Sequence, residues 1–327
     1  MAGDEGRVPG GLGFPGDGDV VGALSRADAA RAVRAYPVVV RTGPVFAVVE
    51  QGSRGRWRVL RTGEFTPQGA RDTLGSLLRW EAAQPGTGRE AESGRAALLG
   101  GARLLDWERR DELTVAGRRF GVARVEEFVR LGPDGPEPPR PTDADAWPPG
   151  KGHRGPDPAR GSVVAGEIPG SPALLGERWD GLPVQDSVPP QEWADAHWAL
   201  VTYPKVAVLP ARFAVAEVRP SGSLWTLTAA AICPQAARDT LAAYFSRIGP
   251  EAAASGDLEL AGAYAAGVTL LGRERPHGLT VAGRCFQVIR VEQIMRLCAD
   301  GPEPPRASDY DPDPPAEAQA SGLHSPN

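Results

Sequence analysis

The chain has 327 residues, 41% hydrophobic and 24% charged, with a net charge of −5 and a pI near 5.6. This composition supports a packed core, and the negative charge argues against a nucleic-acid partner, because phosphate binding needs clustered positive charge. No apolar run approaches the roughly 20 residues of a membrane span, no secretory signal begins the chain, and its three cysteines form no CxxC pair. We therefore expect a cytoplasmic protein with no membrane partner.

The first elements along the chain are a tail, a helix and a strand pair. Residues 1–25 are rich in Gly and Pro and predict a disordered tail. Residues 26–35 predict a short helix that Pro37 ends, since Pro disfavours helical dihedrals in the residue before it. The β-branched runs at 38–40 and 45–49 predict strand, and 57–60 predicts the returning strand after a Gly-rich turn.

A helix, a second helical stretch and a hairpin follow. Thr66 and Pro67 are typical of a helix N-cap followed by Pro at the first helical position. Ala70, Leu74, Leu77 and Leu78 then lie at helical spacing on one face. Residues 95–106 predict a second helix, and residues 113–124 predict a hairpin that turns at Ala116-Gly117. The pattern does not decide between strand and helix for residues 125–131.

These elements recur later in the chain. Pro67-Gln68 and Ala70–Leu74 reappear, 167 residues on, as Pro234-Gln235 and Ala237–Leu241. Leu113–Arg140 aligns with Leu279–Arg306, which lies 166 residues on, and 20 of these 28 positions are identical. Composition bias does not produce such a match, so the sequence predicts an internal duplication.

The repeat predicts the domain organisation and the fold class. We expect a disordered tail over 1–25, a repeat domain over 26–143, a Pro/Gly-rich linker over 144–189, a second repeat domain over 190–309 and a tail over 310–327. Hairpins dominate each copy, which favours α+β. The prediction is two tandem copies of a small antiparallel-sheet domain, each with helices packed on one face, related by a pseudo-twofold axis.

Three motifs of each copy resemble a known family. They are Pro-Gln-x-Ala-Arg-Asp-x-Leu, Leu-Thr-Val-x-Gly-Arg-x-Phe and Gly-Pro-Asp-Gly-Pro-Glu-Pro-Pro-Arg. Together they resemble an uncharacterised actinobacterial family, a domain of unknown function, present here as two tandem copies. The second copy departs from the pattern where Cys298-Ala299 replaces Gly132-Pro133. The resemblance implies a cytosolic bacterial protein and brings no catalytic residues with it.

No motif predicts a cofactor, a metal or a catalytic residue. Residues 11–16 match GxGxxG, but no strand precedes them and Pro15 interrupts them, so we interpret the match as chance. The histidines and cysteines of one copy have no matching His or Cys in the other, and no set of three or four converging metal ligands emerges. No Ser or Cys has a predicted base beside it, as nucleophilic catalysis requires.

The candidate site residues are the charged residues that the two copies share. They form three groups per copy: Arg71, Asp72, Arg124, Glu126, Arg130, Asp134, Glu137 and Arg140 in the first, and Arg238, Asp239, Arg290, Glu292, Arg296, Asp300, Glu303 and Arg306 in the second. One interpretation is structural: Arg–carboxylate pairs tie the last segment of each copy onto its own domain. The other is a site for a small anionic or polar ligand.

Two of these shared features have specific interpretations. Asp72 lies about 200° around the helix from Leu74, so it should face solvent or another element rather than the core. Pro136-Glu137-Pro138-Pro139 matches PxxP and predicts an extended arm that either lies on its own domain or docks into a partner's aromatic groove.

These observations favour a non-enzymatic binding or interaction module in which the two copies pack on each other as a pseudo-dimer. Its partner would be an unknown protein or a small polar ligand. The alternative is an enzyme, or a small-anion-binding protein, with a cleft between the copies that uses the matched Arg and Glu residues. A third hypothesis is a peptide-binding adaptor that works through the Pro-rich arms.

Overall fold

The computed structural model describes residues 20–52, 55–85, 88–145, 147–151, 162–163, 187–219, 224–226, 228 and 230–320. The described residues up to 151 are called the first half here, and those from 187 onwards the second half. The first half contains, in chain order, α1 (Val20–Ala35), β1 (Val38–Gln51), β2 (Trp57–Glu64), α2 (Pro67–Ala82), α3 (Arg89–Trp107), β3 (Glu112–Val115), β4 (Arg118–Gly132) and β5 (Gly135–Pro136).

The short strand β6 (Ser162–Val163) lies between the halves in sequence. The second half repeats the same order of long elements with a different ending. It contains α4 (Pro190–Thr202), β7 (Lys205–Val218), β8 (Leu224–Thr226), α5 (Pro234–Ala254), α6 (Leu258–Arg273), β9 (Gly278–Val281), β10 (Arg284–Leu297) and α7 (Ala316–Ala320).

A single antiparallel sheet runs through both halves. Its strand order is β6-β2-β1-β4-β10-β7-β8, with β3 and β5 paired to β4 and β9 paired to β10. The central pair is β4 with β10, where Val125 lies opposite Met295 and Val129 lies opposite Val291. The α+β class is therefore confirmed, but the two halves share one sheet rather than forming one sheet each.

Two helix pairs, α2 with α3 and α5 with α6, lie on one face of this sheet, which is called the helix face here. Leu74 and Leu78 of α2 pack on Phe120 of β4 in the first half, and Leu241 and Phe245 of α5 pack on Phe286 of β10 in the second. Side chains alternate along a strand, so Phe120 lies on the same face of the sheet as Phe128, and Phe286 lies on the same face as Glu292. Phe128 and Glu292 pair directly, so both helix pairs cover the same face.

Local sequence signals explain where the elements begin and turn. Thr66 caps α2, because its hydroxyl accepts a hydrogen bond from the Gly69 amide at 3.0 Å. Ala116 and Gly117 have φ values of 50° and 73°, as a type I′ hairpin turn requires. Residues 125–131, left open by the sequence, continue as strand β4.

The opposite face, called the inner face here, is concave and has no helix packed against it among the described residues. Arg212 of β7 donates to the carbonyl oxygen of Thr62 in β2 at 2.6 Å, although three strands separate β2 from β7 in the sheet order. The sheet must therefore curl. Small side chains leave room for this curvature: Ala47, Ala123, Ala207, Ala214 and Ala216 are all buried on this face.

Ordered structure extends beyond the predicted domain boundaries. Residues 20–25 belong to α1 instead of a tail, and residues 316–320 form α7 instead of a disordered end. Residues 310–315 are described and have no regular secondary structure. Residues 1–19 and 321–327 lie outside the described residues, as do the GxGxxG match and most of the predicted linker.

Candidate functional site

The central strands β4 and β10 place charged side chains on both faces of the sheet. Side chains alternate along a strand, so Arg124, Glu126 and Arg130 point to the helix face while Glu127 points to the inner face. Arg290, Glu292 and Arg296 occupy the corresponding places on β10. All of these side chains are buried.

On the helix face, the first-half network centres on Glu126. Arg124 contacts Glu126 and also binds Asp309 of the second half, with Nε 2.9 Å from Oδ1. Arg41 donates to Glu126 at 2.9 Å, and Arg306 of the second half lies 3.5 Å from it. The backbone follows the same path, because the Arg124 amide donates to the Glu303 carbonyl oxygen at 2.8 Å.

The second-half network has the same arrangement around Glu292. Arg290 contacts Glu292 and binds Asp143 of the first half, with Nε 3.0 Å from Oδ2. Arg140 of the first half donates to Glu292 at 2.7 Å. The Arg290 amide donates to the Glu137 carbonyl oxygen at 2.9 Å. Each half therefore contributes charged side chains to the other half's network.

The segments that carry these side chains are two arms, residues 134–145 and residues 300–311. Each arm ends on an arginine of the other half: Asp311 is 2.7 Å from Arg71 on α2, while Asp145 contacts Arg238 on α5. The Gln68 amide at the start of α2 also donates to Asp311 at 2.8 Å, where the helix dipole favours a carboxylate.

The prediction that each arm lies on its own domain is therefore wrong for the ion pairs of the arms, which are exchanged between the halves. Each arm also keeps bonds to its own half: Thr142 donates to Asp28 at 2.7 Å, and the Ser308 amide donates to Asp195 at 3.0 Å. The arms do form Arg–carboxylate bonds, as predicted, but the bonds run between the halves. They join Asp309 to Arg124 and Asp143 to Arg290. The physical reason is the continuous sheet, since β4 and β10 lie side by side and each arm leaves its own strand directly over its neighbour.

The buried charges hold each other in their ionised forms. Burial alone would raise the pKa of Glu126, but Arg124, Arg41 and Arg306 outweigh it and lower that pKa to about 2. Glu292 behaves in the same way: Arg290 and Arg140 overcome its burial and lower its pKa. The side chains of Arg124 and Glu126 are only 2% and 3% exposed, so both charges are engaged in ion pairs within the protein.

On the inner face, the central pair is Glu127 opposite Gln293. Gln293 donates to the Glu127 carboxylate at 2.6 Å, and both side chains are buried. Burial raises the pKa of Glu127, although the Gln293 bond and the charge of Arg212 oppose that rise. The concave inner face thus carries the Glu127 carboxylate, which no close ion pair stabilises within the described residues.

The remaining candidate residues are spread over different environments. Asp72 is exposed, as predicted, and accepts a hydrogen bond from Gln68; Asp239 accepts the equivalent bond from Gln235. Asp134 and Asp300 are exposed in the turns where the arms begin and do not join the networks. Arg130 and Arg296 are buried at the ends of the central strands.

Sequence reasoning missed the aspartates that complete the networks. Asp143 matches Asp309 and Asp145 matches Asp311 at the same 166-residue offset as the preceding block. That match was the signal that would have found them. The matched block ends at Arg140 and Arg306, so Asp143 and Asp309 lie just beyond it, while Asp145 and Asp311 fall in the predicted linker and tail.

A comparison with known families decides the family. Residues 19–312 match the family of unknown function DUF5954. The chain belongs to this family. The match is a single one that spans both halves and both arms. No curated protein and no solved structure matches the chain.

Two absences concern the described residues alone. No helix among them combines the length and the apolar character that crossing a bilayer requires. No group of three or more His, Cys, Asp and Glu side chains in this part of the chain is placed to hold a metal ion.

Proposed function

We propose that the chain is a non-enzymatic cytoplasmic interaction module, built as an internal duplication whose two copies pack as a pseudo-dimer. The register of the central strands supports this. Val125 pairs with Met295 and Val129 pairs with Val291. Val291 and Met295 are themselves the residues that match Val125 and Val129 at the 166-residue offset. A pseudo-twofold axis between Glu127 and Gln293 produces this reciprocal pairing.

The reciprocal arms carry the proposal. Asp309 binds Arg124 while its match Asp143 binds Arg290, as in an isologous interface where each partner offers the same surface. The matched Arg and Glu side chains are thus engaged in joining the halves. In an enzyme with a cleft between the copies, the Arg124–Glu126 pair would have to be open to substrate.

The same contacts favour the pseudo-dimer over an adaptor that offers its Pro-rich arms to a partner. Pro136 and Pro139 of the first arm are buried against the chain itself. An external aromatic groove would have to displace the bonds that Arg140 makes with Glu137 at 2.5 Å and with Glu292.

The Arg-rich composition, in which Lys151 and Lys205 are the only lysines, supports the actinobacterial origin that the resemblance implies.

Expressing residues 20–151 alone tests the proposal. This fragment contains β4 and the whole first arm, so two copies should form a homodimer with exchanged arms, measured by light scattering. In that dimer Glu127 would face Glu127 across the axis, and the two like charges would repel. Glu127→Gln should therefore tighten the dimer, by roughly tenfold or about 1.4 kcal/mol.

Two results would contradict the proposal. A fragment that folds as a strict monomer would mean that the arm finds its contacts within its own half. A homodimer whose affinity is indifferent to Glu127→Gln would mean that the axis does not pass at that residue.

A further inference from the structure

A groove of about 360 Å³ lies between α2 and the sheet in the first half. Its floor is apolar and is formed by Leu60, Leu77, Leu78 and Phe120. Its rim is charged and aromatic: the lining side chains include Glu50, Arg58, Trp80, Glu81 and Arg118. A volume of this size lies within the roughly 300–1,000 Å³ of small-molecule sites, and the combination of an apolar floor with a few polar groups is typical of them.

The corresponding place in the second half is occupied by Tyr244. Tyr244 stands on α5 where Leu77 stands on α2. Its ring centroid lies 6.4 Å from that of Phe286, and its hydroxyl accepts a hydrogen bond from Arg284 Nη1 at 3.2 Å. Arg284 in turn binds Glu217 at 2.7 Å.

Three members of the frame around this position are the same in both halves, although Ile248 stands where Glu81 binds Arg118 in the first half. Arg118 lies over the Phe120 ring at 4.9 Å and binds Glu50 at 2.8 Å. Arg284 lies over the Phe286 ring at 4.8 Å. The first half therefore keeps the arginine, the carboxylate and the ring that hold the Tyr244 phenol, but Leu77 replaces the phenol itself.

We propose that the first-half groove binds a small neutral molecule that carries a phenol ring. The ring would lie over Leu77 against Phe120, with its hydroxyl accepting from Arg118 Nη2, because Nε and Nη1 of Arg118 already bind Glu50 and Glu81. Arg58 and Arg118 are balanced by Glu50 and Glu81, so the groove favours a neutral ring over a strongly charged ligand. Trp80, 46% exposed at the rim, offers a second aromatic surface.

This inference rests on the proposed function, because it gives the binding module a ligand class. Titrating p-cresol into the full ¹⁵N-labelled chain tests it, with the Trp80 indole N–H signal, identified by its loss in Trp80→Phe, as the reporter. The shift of this signal should saturate. Toluene should bind roughly tenfold more weakly, since it lacks the hydroxyl that accepts from Arg118.

Two matched variants use the difference between the halves. Leu77→Tyr places in the first groove the ring that the second half already has, so p-cresol should bind at least roughly tenfold more weakly. Tyr244→Leu empties the second-half position, so a second set of saturating shifts should appear around Arg284. Thermal melting of each variant checks that it is folded.

The inference is overturned if the Trp80 signal does not saturate with p-cresol, if toluene binds as well, or if Leu77→Tyr binds p-cresol like the parent chain. Absence of a second site in a folded Tyr244→Leu variant would also count against it. None of these outcomes touches the exchanged arms, so failure here is distinguishable from failure of the pseudo-dimer.

Discussion

The two faces of the central strand pair shift the pKa of a buried glutamate in opposite directions. On the helix face, Glu126 is surrounded by Arg124, Arg41 and Arg306, and its pKa falls. On the inner face, burial raises the pKa of the neighbouring residue Glu127, and the hydrogen bond from the Gln293 amide only partly opposes that rise. Adjacent carboxylates in one strand thus differ because one faces paired guanidinium groups and the other faces the apolar concave side of the sheet. Burial alone therefore says little about whether a charge stabilises this fold.

The largest expected effect comes from breaking the helix-face network. Arg124→Ala leaves Glu126 and Asp309 buried with one partner fewer, so it should lower the free energy of unfolding by about 3–5 kcal/mol. Arg110→Ala is the control, because Arg110 pairs with Glu108 in the open, 52% exposed, and should cost about 0–1 kcal/mol. Urea denaturation measures both. Equal costs would erase the distinction between network and surface pairs.

Glu126→Gln should have a smaller effect, about 2–3 kcal/mol at pH 7, because the amide keeps the shape but loses the charge. The folded-state pKa of Glu126, about 2, lies below its unfolded value of about 4.3. Its stabilisation is therefore complete above the unfolded pKa and is lost as the pH falls towards 2. The stability gap between the parent chain and the variant should close over that range.

The same variant separates structure from catalysis. If Glu126 served an enzyme, Glu126→Gln would abolish a turnover while leaving the melting temperature intact. A gap that stays constant from pH 7 to about pH 2 would contradict the ion-pair account of Glu126.

Glu127→Gln should have the smallest effect and the opposite sign. A raised folded-state pKa means that ionised Glu127 opposes folding at neutral pH, and that this penalty is relieved as the pH falls below the folded value. The neutral amide should raise the free energy of unfolding by about 1 kcal/mol at pH 7, with the gain vanishing in acid. Thermal denaturation at pH 7 and pH 4 measures it. A destabilised variant at pH 7 would show that the Glu127 charge is needed.

Much of the fold was predictable from the sequence, because several elements carried local signals. Thr66 and Pro67 predicted the start of α2, and Ala116-Gly117 predicted the hairpin turn. The spacing of Leu74 and Leu78 predicted the buried face of α2. The position of Asp72 followed from helical geometry alone. The candidate charged groups were also found, since they are shared by the two parts of the chain.

The pairing between the halves was not predictable, because nothing local encodes it. Whether Asp309 binds Arg124 or Arg290 depends on β4 lying beside β10, which is a contact between distant segments. The inner face was hidden for the same reason: Arg212 reaches Thr62 only because the sheet curls. The curl depends on many small side chains together rather than on one motif.

Double-mutant cycles across the arms test the central claim, the exchange, most directly. In the full chain, Arg124→Gln and Asp309→Asn should be coupled by about 1–3 kcal/mol, as should Arg290→Gln and Asp143→Asn, while Arg290 and Asp309 should add within about 0.5 kcal/mol. The reverse pattern, with Asp309 coupled to Arg290 and not to Arg124, would place each arm on its own half and contradict the account.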